Sequence, residues 1–578
     1  TPLYSSAASD VYKRQDSNKE VLCKKEEPEN GVYEYTYEIP ESEKEETLWL
    51  EWYEDVANTV GCWYPDCGSG RAYGADWQRR RTTSLSVSAP VYCLYDQGGN
   101  NCITIALSEA VREVEWKIGV HEEDGRFLFQ CKIHMGRGRE EVKLYINEGK
   151  AVYSKVLGKV QTWWKDKCKI VPAIVPEAAK MPFYSTWYSY HQNIEEKQLE
   201  RECELAAQMG FKGIIVDDGW QTDDNHRGYA FCGDWKPSET KFPHMKEHVA
   251  YVHSLGMKYM LWVSIPFIGK NSGIWKKFSD KLLEYQEDMN AGVADIRYKE
   301  IREYLMEQYV DLVKNYDLDG LKMDFIDEFH EGAATPEYNE NMDFRDVQDA
   351  LEHMMVQLYE KLRELNPDIL IEFRQKYVGP YIRKFGNILR VDDCPMSQLS
   401  NRVGLVDLRI LSGDTAVHSD MVMWNKAEEP EGVAIALQHC FFGSLQLSVR
   451  LEECKQEILE VIRYYMELTQ EWFEERLEGD FTAKHPEHLY PVVYGEKENR
   501  AVVGVYEEDQ VICVKENWTE VLILNANKGN GIYLDLMQTS GKKAVIRDCI
   551  GTVVKSLEKL QDGLVKVEIP AGGTVKLF

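Results

Sequence analysis

Three apolar runs in this chain end in acidic side chains. They are Gly213-Ile214-Ile215-Val216-Asp217-Asp218-Gly219-Trp220, Gly320-Leu321-Lys322-Met323-Asp324-Phe325-Ile326-Asp327 and Asn387-Ile388-Leu389-Arg390-Val391-Asp392-Asp393-Cys394. Each reads as a short buried strand with carboxylates at its C-terminal end, where parallel α/β barrels assemble their active sites. Strand alternation puts Lys322 and Asp324 on one face. A cation two residues away would keep Asp324 ionised, and an ionised, positioned carboxylate can attack an anomeric carbon. Paired carboxylates beside aromatic and basic side chains point to sugar chemistry.

Each candidate has a plainer reading beside the chemical one. Asp324 and Lys322 could be an ion pair closing the top of a barrel. Asp217 and Asp218, next to Trp220, need donors if buried. Sugar hydroxyls are suitable donors, and the competing role is a helix cap or turn. Asp392 and Asp393 supply a candidate proton donor, its pKa raised by the neighbouring acid and by burial, with Arg390 opposing the rise. Two acids ahead of Cys394-Pro395 are equally ordinary loop residues. Trp262 at the end of a strand, and Trp235 in a loop expected above the barrel, could stack on a pyranose face or simply pack. His191, His330 and His418 have no metal-ligand spacing, so no metal is expected, and carboxylate chemistry on a sugar needs no organic cofactor.

The elements that must position these residues change character along the chain. Up to about Cys168, short alternating runs such as Phe127-Leu128-Phe129-Gln130-Cys131-Lys132-Ile133, separated by Gly, Asn and Asp turns, predict an antiparallel β-sandwich. Ile170 to Pro176 reads as a linker. From about Met181, strands alternate with amphipathic helices. Eight strands are expected to start near Phe183, Gly213, Lys258, Gly320, Ile369, Asn387, Thr415 and Gly443. Helices are expected over Glu195 to Met209, Ile301 to Val313, Val347 to Leu365 and Cys454 to Leu477. The fold class is therefore multidomain α/β: a central (β/α)8 TIM barrel, an N-terminal antiparallel β-sandwich and a small C-terminal antiparallel β domain. The expected divisions are 1–15, 16–176, 177–477 and 478–578. Residues 1–15 resemble translated adaptor sequence at the start of metagenomic gene predictions. They are set aside as non-native, with the natural N-terminus expected to be missing and a bacterial source expected.

The 578 residues carry a formal net charge of -29, which argues against nucleic acid or an anionic membrane as partner. No apolar run is long enough to span a bilayer. Fourteen cysteines occur without a CxxC pair, the pattern of reduced thiols in a cytoplasmic protein.

Together these residues resemble the melibiase-type α-galactosidases of glycoside hydrolase family 36 and its clan, from about Phe183 to Glu431. Thr186-Trp187-Tyr188-Ser189-Tyr190 is similar to the first barrel strand. Val216-Asp217-Asp218-Gly219-Trp220 is similar to the sugar-binding acid pair. Gly233-Asp234-Trp235 followed by Phe242-Pro243, then Leu261-Trp262, and finally Lys322-Met323-Asp324 follow in the family's order. The resemblance implies that Asp324 is the nucleophile and Lys322 a sugar contact. It implies that Asp217 and Asp218 hold the hydroxyls of the non-reducing sugar, and that the acid/base is Asp393 or Asp392. The chain departs from the family after strand five. Ile371-Glu372-Phe373-Arg374-Gln375-Lys376-Tyr377 replaces a segment of small residues, and Asp392-Asp393-Cys394-Pro395 replaces another family run. These departures leave the sugar open, and Arg374 could reach an acidic or decorated one.

The expectation is a retaining exo-α-glycosidase of α-galactosidase type acting on a carbohydrate, with carboxyl groups about 5–5.5 Å apart. The alternatives are an α-N-acetylgalactosaminide, α-glucoside or uncommon hexose on the same machinery, a transglycosidase, or a carbohydrate-binding barrel without turnover. The resemblance also implies a homo-oligomer built through the barrel and N-terminal domain, though no interface is readable.

Overall fold

In the computed structural model, residues 12–15, 22–38, 47–78, 80–135, 141–536 and 541–578 are described. Residues 1–11 of the segment set aside above lie outside them. Tyr12–Gln15 is an edge strand paired antiparallel with Thr47–Glu54.

The N-terminal part holds a five-stranded and a six-stranded sheet. Thr47–Glu54 shows why they pack face to face: Leu48, Leu50 and Trp52 alternate inward and join Tyr37, Leu94, Ile105 and Leu144 of the six-stranded sheet in one core. One element was not anticipated. Tyr153–Asp166 is a helix, with Val156, Leu157, Val160, Trp163 and Trp164 buried at three- and four-residue spacing.

Eight parallel strands form the barrel: β1 (Phe183–Ser185), β2 (Gly213–Val216), β3 (Lys258–Ser264), β4 (Gly320–Asp324), β5 (Leu370–Arg374), β6 (Ile388–Arg390), β7 (Ala416–His418) and β8 (Gln446–Leu447). Their order is β7-β6-β5-β4-β3-β2-β1-β8, and bridges from His418 to Ser444 and from Val422 to Leu447 bring the two ends together. The strands are buried on both faces, which is why they read as nearly continuous apolar runs. Alternation stacks the interior. Phe183, Met260, Leu370, Ile388 and Ala416 form an apolar cluster at the floor. Two residues on along each of β3, β5, β6 and β7 come Trp262, Glu372, Arg390 and His418, and Asp324 and Arg374 end β4 and β5 at the mouth.

Four long helices follow the predicted ranges closely: Glu196–Met209, Lys299–Tyr316, Val347–Leu365 and Gln456–Glu471. A small antiparallel sheet, Phe267–Gly269 with Leu282–Gln286 and Ala291–Ala294, is inserted between β3 and β4. The C-terminal part has a seven-stranded and a three-stranded sheet. They are mostly antiparallel, with parallel pairs at Arg500–Val505 with Glu520–Asn525 and at Val511–Cys513 with Gly531–Asp535.

One buried carboxylate ties the three parts together. Asp407, on the barrel helix Gln398–Ser412, accepts bonds from Trp63 Nε1 (2.8 Å) and Arg71 Nη2 (2.9 Å) of the N-terminal sheets and from Tyr490 OH (2.6 Å) of the C-terminal part. The fourteen cysteines are all free.

Candidate active site

The carboxylates meet in a cavity of about 170 Å3 at the C-terminal ends of β2 to β6. Asp217, Asp218, Trp262, Lys322, Asp324, Arg374, Asp392 and Asp393 all line it, and Trp187, Tyr229 and Phe325 complete the wall.

Asp324 is held by four donors. Its Oδ1 accepts from Arg374 Nε (2.7 Å), Tyr377 OH (2.8 Å) and the Phe325 backbone N–H (2.8 Å). Phe325 adopts a left-handed conformation, φ 63°, and its N–H turns back onto the carboxylate it follows. Asp324 Oδ2 accepts a single bond, from Trp262 Nε1 at 3.0 Å. Burial opposes ionisation, but Arg374, Lys322 and the bonds from Trp262 and Tyr377 outweigh it and hold Asp324 well below the usual carboxylate range. The sequence assigned this effect to Lys322; Arg374 exceeds it.

Lys322 itself donates to Asp217 Oδ2 at 2.6 Å, and both side chains are buried. Asp218 is buried beside them, with Gln192 Nε2 2.6 Å from Oδ2 and Gln221 Nε2 2.7 Å from Oδ1. Burial pushes its pKa up to about 6 against those two bonds. Gly219 makes this packing feasible. It has φ 113°, and a Cβ there would lie 2.4 Å from Gln192 Cα. Neither acid caps a helix.

Across the mouth, Asp392 accepts from Arg374 Nη1 at 3.2 Å and Asp393 from Arg390 Nη2 at 2.9 Å. The Asp393 side chain is half exposed; partial desolvation pushes its pKa upward, while Arg390 and Lys322 overcome that and leave the group below the ordinary range. That reverses the raised pKa expected for an acid at this position, because Arg390 sits directly beneath it. Asp327, one turn beyond Asp324, is pushed up to about 6 by burial, against the pull of Arg374.

Three predicted contacts lie behind the wall. Arg390 has no exposed surface. Its guanidinium bonds Asp420 (2.6 Å) and Asp393, with Glu372 at 3.5 Å, so it positions an acid from below. Trp220 donates to the Trp262 carbonyl at 2.9 Å, and Trp235 packs between Trp220 and Trp262. Both indoles are buried, and neither lines the cavity. Thr186 to Tyr190, matched above to the first strand, is instead a helical turn following β1, with the Tyr188 and Ser189 N–H groups on Ser448 Oγ.

Sequence reading missed Trp187, Tyr229, Phe325, Gln192, Tyr377 as a donor, and Asp420. Tyr377 lay in the segment noted as unusual, and Trp187 in a quoted landmark. Tyr229 sits in an irregular loop with no periodic signal.

The melibiase family model matches residues 166–375. An α-galactosidase, Mel36A, from Lactobacillus acidophilus is 28% identical over 200 residues, which is 32% of this chain and 26% of that protein. An α-galactosidase from Escherichia coli is 26% identical over 211 residues, covering 34% of this chain and 28% of that one. This chain thus aligns with little more than a quarter of either relative's length. A variant of the GH36 α-galactosidase AgaA from Geobacillus stearothermophilus, in complex with 1-deoxygalactonojirimycin, superimposes with a TM-score of 0.65 at 13% identity. The match covers 95% of this chain and 79% of that one, a likeness of fold.

Proposed function

We propose, from the match of residues 166–375 to the melibiase family model and the geometry of the site, that this chain is a retaining exo-α-glycosidase of α-galactosidase type. The observation that carries the reading is the state of Asp324. Its pKa is held well below the usual carboxylate range, and its four donors leave three bonds on Oδ1 and one on Oδ2.

In this reading a terminal α-linked sugar sits between Asp217, Asp218 and Lys322, which hold its hydroxyls. Oδ2 of Asp324 attacks the anomeric carbon. Oδ1 stays anchored by Arg374 and Tyr377, so the carboxylate cannot rotate away from the attack line. The bond to the leaving oxygen breaks as Asp393 gives that oxygen a proton. Asp393 then takes a proton from water, which opens the glycosyl-aspartate and releases the α-anomer. Arg390 keeps Asp393 ionised in the open site, the form needed for the second step. Its proton for the first step is taken up as substrate fills the mouth, because desolvation and the Asp324 charge are the influences that raise it.

The same geometry favours a neutral sugar over an acidic one. Arg374 already faces three carboxylates: Asp324, Asp392 and Asp327, the last at 3.8 Å. The relatives' names, and the galactose-like iminosugar bound in the similar structure, support galactose as the first sugar to try.

The test is p-nitrophenol release from a panel of α- and β-nitrophenyl glycosides by wild type and Asp324→Asn. One α-glycoside should turn over, with at least a 10³-fold loss in the variant, an order of magnitude typical of removing a principal catalytic group. Binding of sugars without turnover of any substrate would identify a carbohydrate-binding barrel instead.

A further inference from the structure

The active-site cavity, at about 170 Å3, is smaller than the roughly 300–1,000 Å3 that holds a whole ligand, and it has room for little more than one sugar ring. The rest of a glycoside must lie elsewhere. A second cavity of about 360 Å3 adjoins it, and Asp392 and Asp393 line both. All three parts of the chain build this second space: Pro65 and Ser69 from the N-terminal sheets, Leu399 and Val403 from the helix Gln398–Ser412, and Leu489 from the C-terminal part.

We infer that this second cavity receives the leaving group, and that it selects leaving groups with an apolar face. The inference rests on the glycosidase reading and adds the position and chemistry of the departing half. An acid that protonates the glycosidic oxygen must lie between the cleaved sugar and the group that departs. Asp392 and Asp393 occupy that position between the two cavities. A further cavity of about 330 Å3, beside Tyr188 and Trp424, shares neither acid. The walls set the chemistry. Leu399, 45% exposed, and the half-buried Leu489 present hydrocarbon, with Pro65, Val391 and Val403 packed behind them, while Asp66, Gln375 and Lys376 make the polar part of the wall. Burying such a surface against a substrate gains free energy in proportion to the apolar area removed from water.

Two variants test this from opposite sides. Leu399→Ser removes apolar wall while leaving the Ser397 cap, which accepts from the Ser400 N–H. Ser69→Trp fills the space from the N-terminal loop, where Ser69 is exposed. The measurement is kcat/KM for the p-nitrophenyl α-glycoside divided by kcat/KM for the α-glycosyl fluoride of the same sugar. Fluoride leaves without occupying the second cavity, and the ratio cancels any loss of folded enzyme. Both variants should lower the ratio about 10-fold, the scale of a hydrophobic pocket contact. A ratio unchanged in both variants overturns the leaving-group site while leaving the glycosidase reading intact. Failure of the wild-type enzyme to turn over either substrate for any sugar overturns both.

Discussion

Lys322 Nζ lies 2.6 Å from Asp217 Oδ2, joining the ends of β4 and β2 beneath the mouth of the barrel. The lysine shares a strand face with Asp324 but spends its hydrogen bond on a different acid. The pair is buried, so each charge depends on the other.

Lys322→Met should therefore destabilise the protein by about 3–5 kcal/mol, because it strands the Asp217 carboxylate. Asp217→Asn in the Lys322→Met background should recover most of that loss. Chemical denaturation of the two single variants and the double variant measures the coupling. Additive losses would show that the two residues act independently.

Tyr377→Phe removes one of the three donors on Asp324 Oδ1 and keeps the ring. A hydrogen bond to a charged group contributes about 1.5–3 kcal/mol, so kcat should fall roughly 10- to 100-fold. KM should change little, because Tyr377 is not among the residues lining the sugar cavity. A rise in KM at constant kcat would make Tyr377 a sugar contact instead.

Asp392 and Asp393 separate by leaving group. Loss of a general acid costs about 10²–10⁴-fold, and most for substrates whose leaving oxygen needs a proton. Asp393→Asn should cripple kcat/KM for an alkyl glycoside and spare kcat/KM for the glycosyl fluoride, while kcat falls for both because the second step still needs a base. Asp392→Asn should affect the two substrates alike, since its carboxylate is bonded to Arg374. The reverse pattern would transfer the acid role to Asp392.

Asp218 gives a pH signature. Its pKa is raised to about 6, so it loses its charge as pH falls through 6. Sugar hydroxyls bind best to the ionised form, and kcat/KM should show an acidic limb near pH 6. Asp218→Asn should lower activity and flatten that limb, while Asp327→Asn, which removes the other acid raised to about 6, should leave it in place. Stability runs the other way. Between the ordinary carboxylate range and about pH 6, the folded protein holds a proton the unfolded chain has lost, so the contribution of Asp218 to stability declines as pH rises through that window. Parallel pH–rate and pH–stability profiles read both.

The barrel was legible because parallel strands buried on both faces announce themselves as apolar runs, and the acids at their ends stand out against that background. Strand starts at Phe183, Gly213, Lys258 and Gly320 were read directly, and β5 to β8 lay within a few residues. Which partner each acid would choose was not legible. Lys322 is two residues from Asp324 but bonds Asp217, and Arg374, from the next strand, is the cation that acts most strongly on Asp324. Such choices depend on barrel stagger, which brings together residues far apart in sequence. Trp220 and Trp235 were misplaced for a related reason: a large ring near a mouth packs behind the wall as readily as it lines it.

Asp407 sets a limit on how this protein can be taken apart. Its three donors come from Trp63, Arg71 and Tyr490, on either side of the barrel in sequence. Excising the N-terminal sheets would remove the Arg71 guanidinium from a buried carboxylate, and excising the C-terminal part would remove the Tyr490 hydroxyl that shares Oδ1 with Trp63. The barrel is therefore not a portable module. A trimmed or transplanted version would need an apolar or amide side chain in place of Asp407 before its solubility or turnover could be attributed to the barrel itself.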